Sequence, residues 1–205
     1  YEISECLVGS EMCIRDRLQG GEAMIEVKEC SKAFGAVKAV NKATLDVGVR
    51  EVFGLVGSNG AGKSTLLRMM AGIIKPDEGE IQIDGMSVYE NEEAKKLFFY
   101  ISDDSYFPAN YTAMDLVRFY RNFYPQFRTR FFHELMEQFH LEENRRIATF
   151  SKGMKKQVLV IIGVCAATKY LFCDETFDGL DPVMRQAVKS LFAAEIMNRE
   201  FTPVI

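Results

Sequence analysis

Residues 57 to 65 read GSNGAGKST and fit the pattern G-x-x-x-x-G-K-[ST] at every fixed position. The apolar run Val52-Phe53-Gly54-Leu55-Val56 precedes this stretch, and Leu66-Leu67-Arg68-Met69-Met70 follows it. The context is therefore strand, glycine-rich loop, helix, as a loop that cradles nucleotide phosphates requires. Gly57, Gly60 and Gly62 lack a Cβ, so backbone N–H groups can turn inward onto an anion at which the helix N-terminus also points. The whole run Gly57, Ser58, Asn59, Gly60, Ala61, Gly62, Lys63, Ser64 and Thr65 is the expected nucleotide contact. Within it Lys63 is expected at the β- and γ-phosphates and the Ser64 hydroxyl on Mg²⁺.

The 205 residues are 48% hydrophobic and 26% charged, enough for one well-buried core with a subsidiary lobe. A net charge of −4 gives no global electrostatic reason to expect a nucleic-acid partner. The longest apolar run, Val158 to Ala167, falls short of the roughly 20 residues that a membrane-spanning helix needs. The cysteines Cys6, Cys13, Cys30, Cys165 and Cys173 are odd in number and show no C-x-x-C spacing. Neither disulfides nor a zinc site are expected, and a reducing cytoplasm fits.

Residues 1–23 lack periodicity, caps and a signal-peptide apolar region, whereas Met24-Ile25-Glu26-Val27-Lys28 opens a clean alternation. The natural protein is expected to start at Met24. Glu11 to Arg17 resembles a translated transposon end from sequencing-library preparation, and the alternative is a natural disordered leader. Strands are expected near 24–29, 40–47 and 51–56, at Glu80 to Asp84 and at Leu97 to Ile101. A helical segment rich in Phe and Tyr follows, with Thr112 and Asp115 as a capping pair. Leu116, Val117, Tyr120, Phe123 and Tyr124 fall on one helix face that Pro125 ends. Helices near 129–139, from Ser151, and from Pro182 to Arg199 flank a buried strand, Tyr170 to Cys173. A parallel sheet carrying the phosphate loop, interrupted by a helical insertion, is the economical architecture.

Phe150-Ser151-Lys152-Gly153-Met154, then Tyr170 to Asp174, Glu175, and Gly179-Leu180-Asp181 follow in an order that resembles the nucleotide-binding domain of ABC transporters. The resemblance runs from Met24 to Ile205. It implies an α/β fold, the P-loop NTPase of ABC type: a mainly parallel core sheet, an antiparallel β portion, and a helical subdomain over about 104–165. It makes Asp174 the carboxylate that holds Mg²⁺ through water and Glu175 the general base for the attacking water, two tasks that need two separate oxygens. Ser151 and Gly153 match the family's LSGGQ signature, which binds the γ-phosphate of ATP held by the opposite subunit. Phe34 takes the place of the aromatic that stacks on adenine, although a lone Phe also suits a core, and Gly179-Leu180-Asp181 takes that of the loop touching the partner subunit. Lys152, Lys155 and Lys156 crowd a helix start where the macrodipole disfavours cations. Either a docked anion relieves them or they lie on a solvated face.

The sequence departs from the family in three places. Asp103 stands where a glutamine senses Mg²⁺, and a carboxylate there can still bind the metal through water. Thr176 replaces a proline. The family's switch histidine should follow the strand beginning near Thr202, and His133 and His140, in the insertion, are expected at the surface instead. The chain is read as a fragment of a longer domain. The function implied is the ATP-binding and hydrolysing subunit of an ABC transporter, a homodimer or heterodimer of such subunits driving a separate membrane permease from the cytoplasmic face. The segment Tyr106 to Tyr111 lies where the family receives that permease, although the same aromatics also suit a core. A soluble ATPase of this type without a permease, and a module that binds ATP and dimerises without hydrolysis, stay open as alternatives.

Overall fold

The computed structural model describes residues 3–7 and 24–205. Among the described residues nine strands form two sheets, accompanied by six α-helices. One sheet is parallel, in the order β1 (Ile3–Leu7), β4 (Val52–Val56), β9 (Thr202–Val204), β8 (Tyr170–Cys173), β7 (Phe98–Ile101). The other is antiparallel, in the order β3 (Val37–Val47), β2 (Ile25–Phe34), β5 (Glu78–Ile83), β6 (Met86–Ser87). No strand is expected before Met24, yet Ile3–Leu7 pairs in parallel with β4. The resemblance of Glu11 to Arg17 lies outside the described residues.

Both faces of the parallel sheet are covered, because its strands alternate between two cores. Phe98, Tyr170, Phe172 and Val204 face the antiparallel sheet and helix α1 (Lys63–Met70). Phe99, Ile101, Leu171 and Cys173 face the other helices. On that second side lie α3 (Ala113–Tyr120), α4 (Thr129–Gln138), α5 (Lys152–Cys165) and α6 (Pro182–Asn198); α2 (Glu92–Lys95) is a single turn before β7. The insertion between β7 and β8 thus has the helical character expected of it. Cys165 and Cys173 are buried free thiols, and burial pushes each up to about 12, so both stay protonated.

Local signals explain most helix ends. Thr112 and Asp115 form a reciprocal capping box on α3, and the Asp181 side chain caps α6 with Pro182 in its first turn. The helix expected to run to Pro125 stops at Tyr120 instead. The chain goes on in tight turns, with the Phe123 N–H donating to the Tyr120 carbonyl. Tyr120 and Tyr124 still pack against Phe99, but Phe123 is exposed.

The two sheets meet at both ends of the parallel strands. At one end the Tyr170 hydroxyl donates to Asp84 at 2.6 Å and Lys169 Nζ pairs with the same carboxylate at 2.9 Å. At the other, β3 backs the phosphate loop: a Cβ on Gly62, whose φ is +92, would lie 2.1 Å from the Ala39 carbonyl oxygen. Gly60, with φ +84, has nothing within 4 Å of that position. Alanine at either residue meets left-handed strain of about 1–2 kcal/mol, but only at Gly62 does it also meet backbone. Gly62→Ala is therefore expected to lower Tm by several degrees more than Gly60→Ala, at about 2–4 °C per kcal/mol for a domain this size. Equal shifts in a thermal melt of the two variants would show that Ala39 does not brace the loop.

Candidate functional site

The phosphate loop leaves the C-terminal end of β4, Asp174 and Glu175 leave the same end of β8, and Asp103 follows β7. Parallel α/β sheets place ligands outside this edge. Within the loop Lys63 Nζ turns back onto the carbonyl oxygens of Gly57 and Ser58, at 2.7 and 3.0 Å. Helix α1 starts at Gly62, which offers no side-chain cap, whereas Asn91, Thr112, Ser151 and Asp181 cap α2, α3, α5 and α6. The first-turn N–H groups of Lys63, Ser64 and Thr65 have no carbonyl partner within the helix and point out of its end. An anion of phosphate size suits that end, together with the ammonium.

At the end of β8 burial changes within one peptide bond: Asp174 is 1% exposed and Glu175 lies in solvent. The pleat explains what each one meets. Asp174 follows Phe172 by two residues, so it points to the α1 side of the sheet. Tyr100, the register partner of Phe172 on β7, also projects to that side, and its hydroxyl donates to Asp174 Oδ2 at 2.9 Å. Arg68 of α1 stands 3.7 Å from the same oxygen. Burial, more than the nearby carboxylate, pushes the Tyr100 phenol up to about 12, so it remains a donor. Among the described residues none addresses Asp174 Oδ1. A buried carboxylate with one oxygen fixed and one open suits a hard, water-bearing cation such as Mg²⁺.

Glu175 adopts φ 48, a left-handed backbone that non-glycine residues seldom take. Its carbonyl accepts from Lys156 Nζ at 2.5 Å and from the Asp178 N–H at 3.1 Å. Lys156 also donates to Asp103 Oδ1 at 3.0 Å. Neither sequence reading of Lys156 holds here. Lys156 is buried rather than solvated, and its counter-anion comes from its own chain. Asp103, read as a Mg²⁺ residue, gives one oxygen to that lysine, because a buried ammonium must be paired; any metal contact is left to the other oxygen.

Ser151 caps α5, its Oγ accepting from the Met154 N–H at 3.2 Å, and lies exposed. Gly153 sits against the Gly179 carbonyl, its Cβ position 3.3 Å away, so the LSGGQ-like segment and the Gly179-Leu180-Asp181 loop are packed together. Phe34 is 51% exposed at the end of β2, with Lys32 Nζ 5.8 Å from its ring centre, which removes the core reading. His133 pairs with Glu143 at 2.7 Å on the exposed surface, and His140 is exposed too. Of Tyr106 to Tyr111, Tyr106 stands 87% exposed while Phe107 and Tyr111 pack on the helical core. Tyr106 and Phe107 line a cavity of about 360 Å³ together with Asp103, Lys152 and Lys155. Among the described residues no cluster of three or more His, Cys, Asp or Glu could hold a metal alone. Tyr100, Arg68 and Lys156 are the participants that sequence reading missed or misplaced; the only advance signal was a lysine near a helix start.

A family model described as ABC transporter matches residues 40–178. The ABC transporter ATP-binding protein YtrB of Bacillus subtilis (strain 168) is 32% identical over 182 residues, covering 89% of this chain and 62% of that protein. The bacitracin transport ATP-binding protein BcrA of Bacillus licheniformis is 30% identical over 175 residues, covering 82% and 57%. The chain thus spans less than two thirds of the length of either relative. The solved structure of the ATP binding subunit of an ABC transporter superposes with a TM-score of 0.79 at 26% identity, over 88% of this chain and 78% of that one. A match over more than half the chain, running from β3 through the phosphate loop to Asp178, establishes that it belongs to the ABC transporter family, as a nucleotide-binding domain.

Proposed function

We propose that this domain hydrolyses ATP and that the cycle drives a separate membrane permease. The observation that carries the reading is the split at the end of β8: a buried Asp174 held by Tyr100 beside an exposed Glu175, on the same sheet edge as the phosphate loop. Lys63 and the uncapped start of α1 bind the phosphates. Mg²⁺, when bound, neutralises charge building on the β- and γ-phosphate oxygens. Ser64 and Asp174 would hold it, with Asp103 contributing through its second oxygen. Glu175 accepts the proton of the attacking water, which needs a carboxylate in contact with solvent. Phe34 stacks on the base.

The second half of each site comes from another ATP-binding subunit, identical or related. Ser151 and Gly153 of one copy meet the γ-phosphate bound by the other, and closing of this pair is what the permease feels. The names of the relatives, an ATP-binding protein of an ABC transporter and one of bacitracin transport, support transport as the purpose. No helix among the described residues is long and apolar enough to cross a membrane. In this reading the subunit sits at the inner membrane face through its permease, with exposed Tyr106 and the cavity beside it as part of the docking surface.

Two substitutions test the reading in the full-length subunit. Lys63→Ala removes a charge-assisted contact and is expected to weaken ATP binding by about 10- to 100-fold, read with a fluorescent ATP analogue. Glu175→Gln is expected to lower kcat by at least about 100-fold while ATP still binds, and to collect an ATP-bound dimer on size exclusion. Phosphate release from Glu175→Gln at the parent rate would remove Glu175 from its role.

A further inference from the structure

Lys156 belongs to no motif, yet one ammonium joins two of them. Its residue is 5% exposed, and its partners are the Asp103 carboxylate, 53 residues earlier, and the Glu175 carbonyl, 19 residues later. Long cationic side chains are seldom buried this deeply unless they are paired. The choice of partners is informative. Glu175 sits in a left-handed conformation, costly for any residue with a Cβ, and such a conformation persists only where its surroundings over-determine it. The Asp178 N–H closes the turn from one side of the Glu175 carbonyl, and Lys156 fixes the same oxygen from α5. Fixing that carbonyl fixes the outgoing peptide plane, and with it the direction in which the Glu175 side chain leaves the backbone. Asp103 in turn holds the ammonium, and it lies in the segment after β7 that leads to Phe107 and exposed Tyr106.

We infer that Lys156 is a positioning residue: it locks the Glu175 turn, and Asp103 sets the lock. The kinetic part of this inference rests on Glu175 being the water-activating base, whereas the structural part does not.

The test uses the full-length subunit with Lys156→Met, which keeps an apolar stem but no charge, together with Lys156→Arg, Asp103→Asn and the Met/Asn double variant. ATPase kinetics and hydrogen exchange at the Asp178 amide are read for each. Lys156→Met is expected to lower kcat by about tenfold or more, a loss of alignment rather than of binding, with KM for ATP changed by less than about twofold. Asp103→Asn is expected to act in the same direction, the double variant to fall no further than Lys156→Met alone, and Lys156→Arg to recover most of the rate. The Asp178 amide is expected to exchange about tenfold faster in Lys156→Met while the amides of α5 keep their protection. Parent kcat together with parent Asp178 exchange in Lys156→Met would overturn the inference. Should that variant not fold, Asp103→Asn, at a partly exposed site, decides it on the same two readouts. A parent subunit that turns over no ATP would count against the hydrolytic reading alone, since the exchange result still decides whether Lys156 locks the turn.

Discussion

Strand β8 is buried on both faces, and the chemistry at its end follows from that constraint. Tyr170, Leu171, Phe172 and Cys173 are each no more than 1% exposed, with alternate residues in different cores. A strand packed in this way cannot slip by one residue without exchanging its two faces. The residue after Cys173 is therefore delivered to the α1 side and the next one to solvent. Because the first is an aspartate, the fold must supply a donor where water cannot reach freely, and Tyr100 is the side chain that the β7 register places there.

Cost and specificity separate at Lys156. Desolvating an ammonium and a carboxylate commonly consumes what their attraction returns, so this pair is poor evidence for added stability. Its geometry is more telling than its energy. The third partner is a backbone oxygen in a strained turn, and an apolar residue of the same size could fill the volume but not hold that oxygen. The Tyr170–Asp84–Lys169 group at the far end of the sheet has the simpler role of fastening one sheet to the other.

Features governed by short-range rules were legible in the sequence. The phosphate loop has fixed spacing and glycine chemistry, Asp174 and Glu175 follow an apolar run of strand length, and Thr112 with Asp115 is a local capping pattern. Where the reading erred, a long-range partner decided the outcome. No spacing rule links Lys156 to Asp103 or Tyr100 to Asp174, so a lysine read either as docked to an external anion or as solvated is buried against a carboxylate of its own chain. The aromatic run past Tyr120 misled through its periodicity, since Tyr124 keeps its contact with Phe99 from a turn as well as it would from a helix. Ile3–Leu7 carries too short a pattern to be read alone, and it becomes a strand through its pairing with β4.

The order of strands has a consequence for how the chain acquires its shape. β9 lies between β4 and β8, although it comes later in the chain than either. The phosphate loop and the Asp174–Glu175 pair therefore sit on strands that are not neighbours in the sheet, and among the described residues the segment Thr202 to Ile205 bonds to both. During synthesis both halves can emerge, and the antiparallel sheet can form by its mostly local pairings, while the central gap is still open. Closing that gap is a non-local event with a large loop entropy to overcome, which makes it a slow step and leaves the flanking strand edges of β4 and β8 unpaired until it happens. In that interval the nascent chain is most exposed to aggregation, and chaperone protection would matter most.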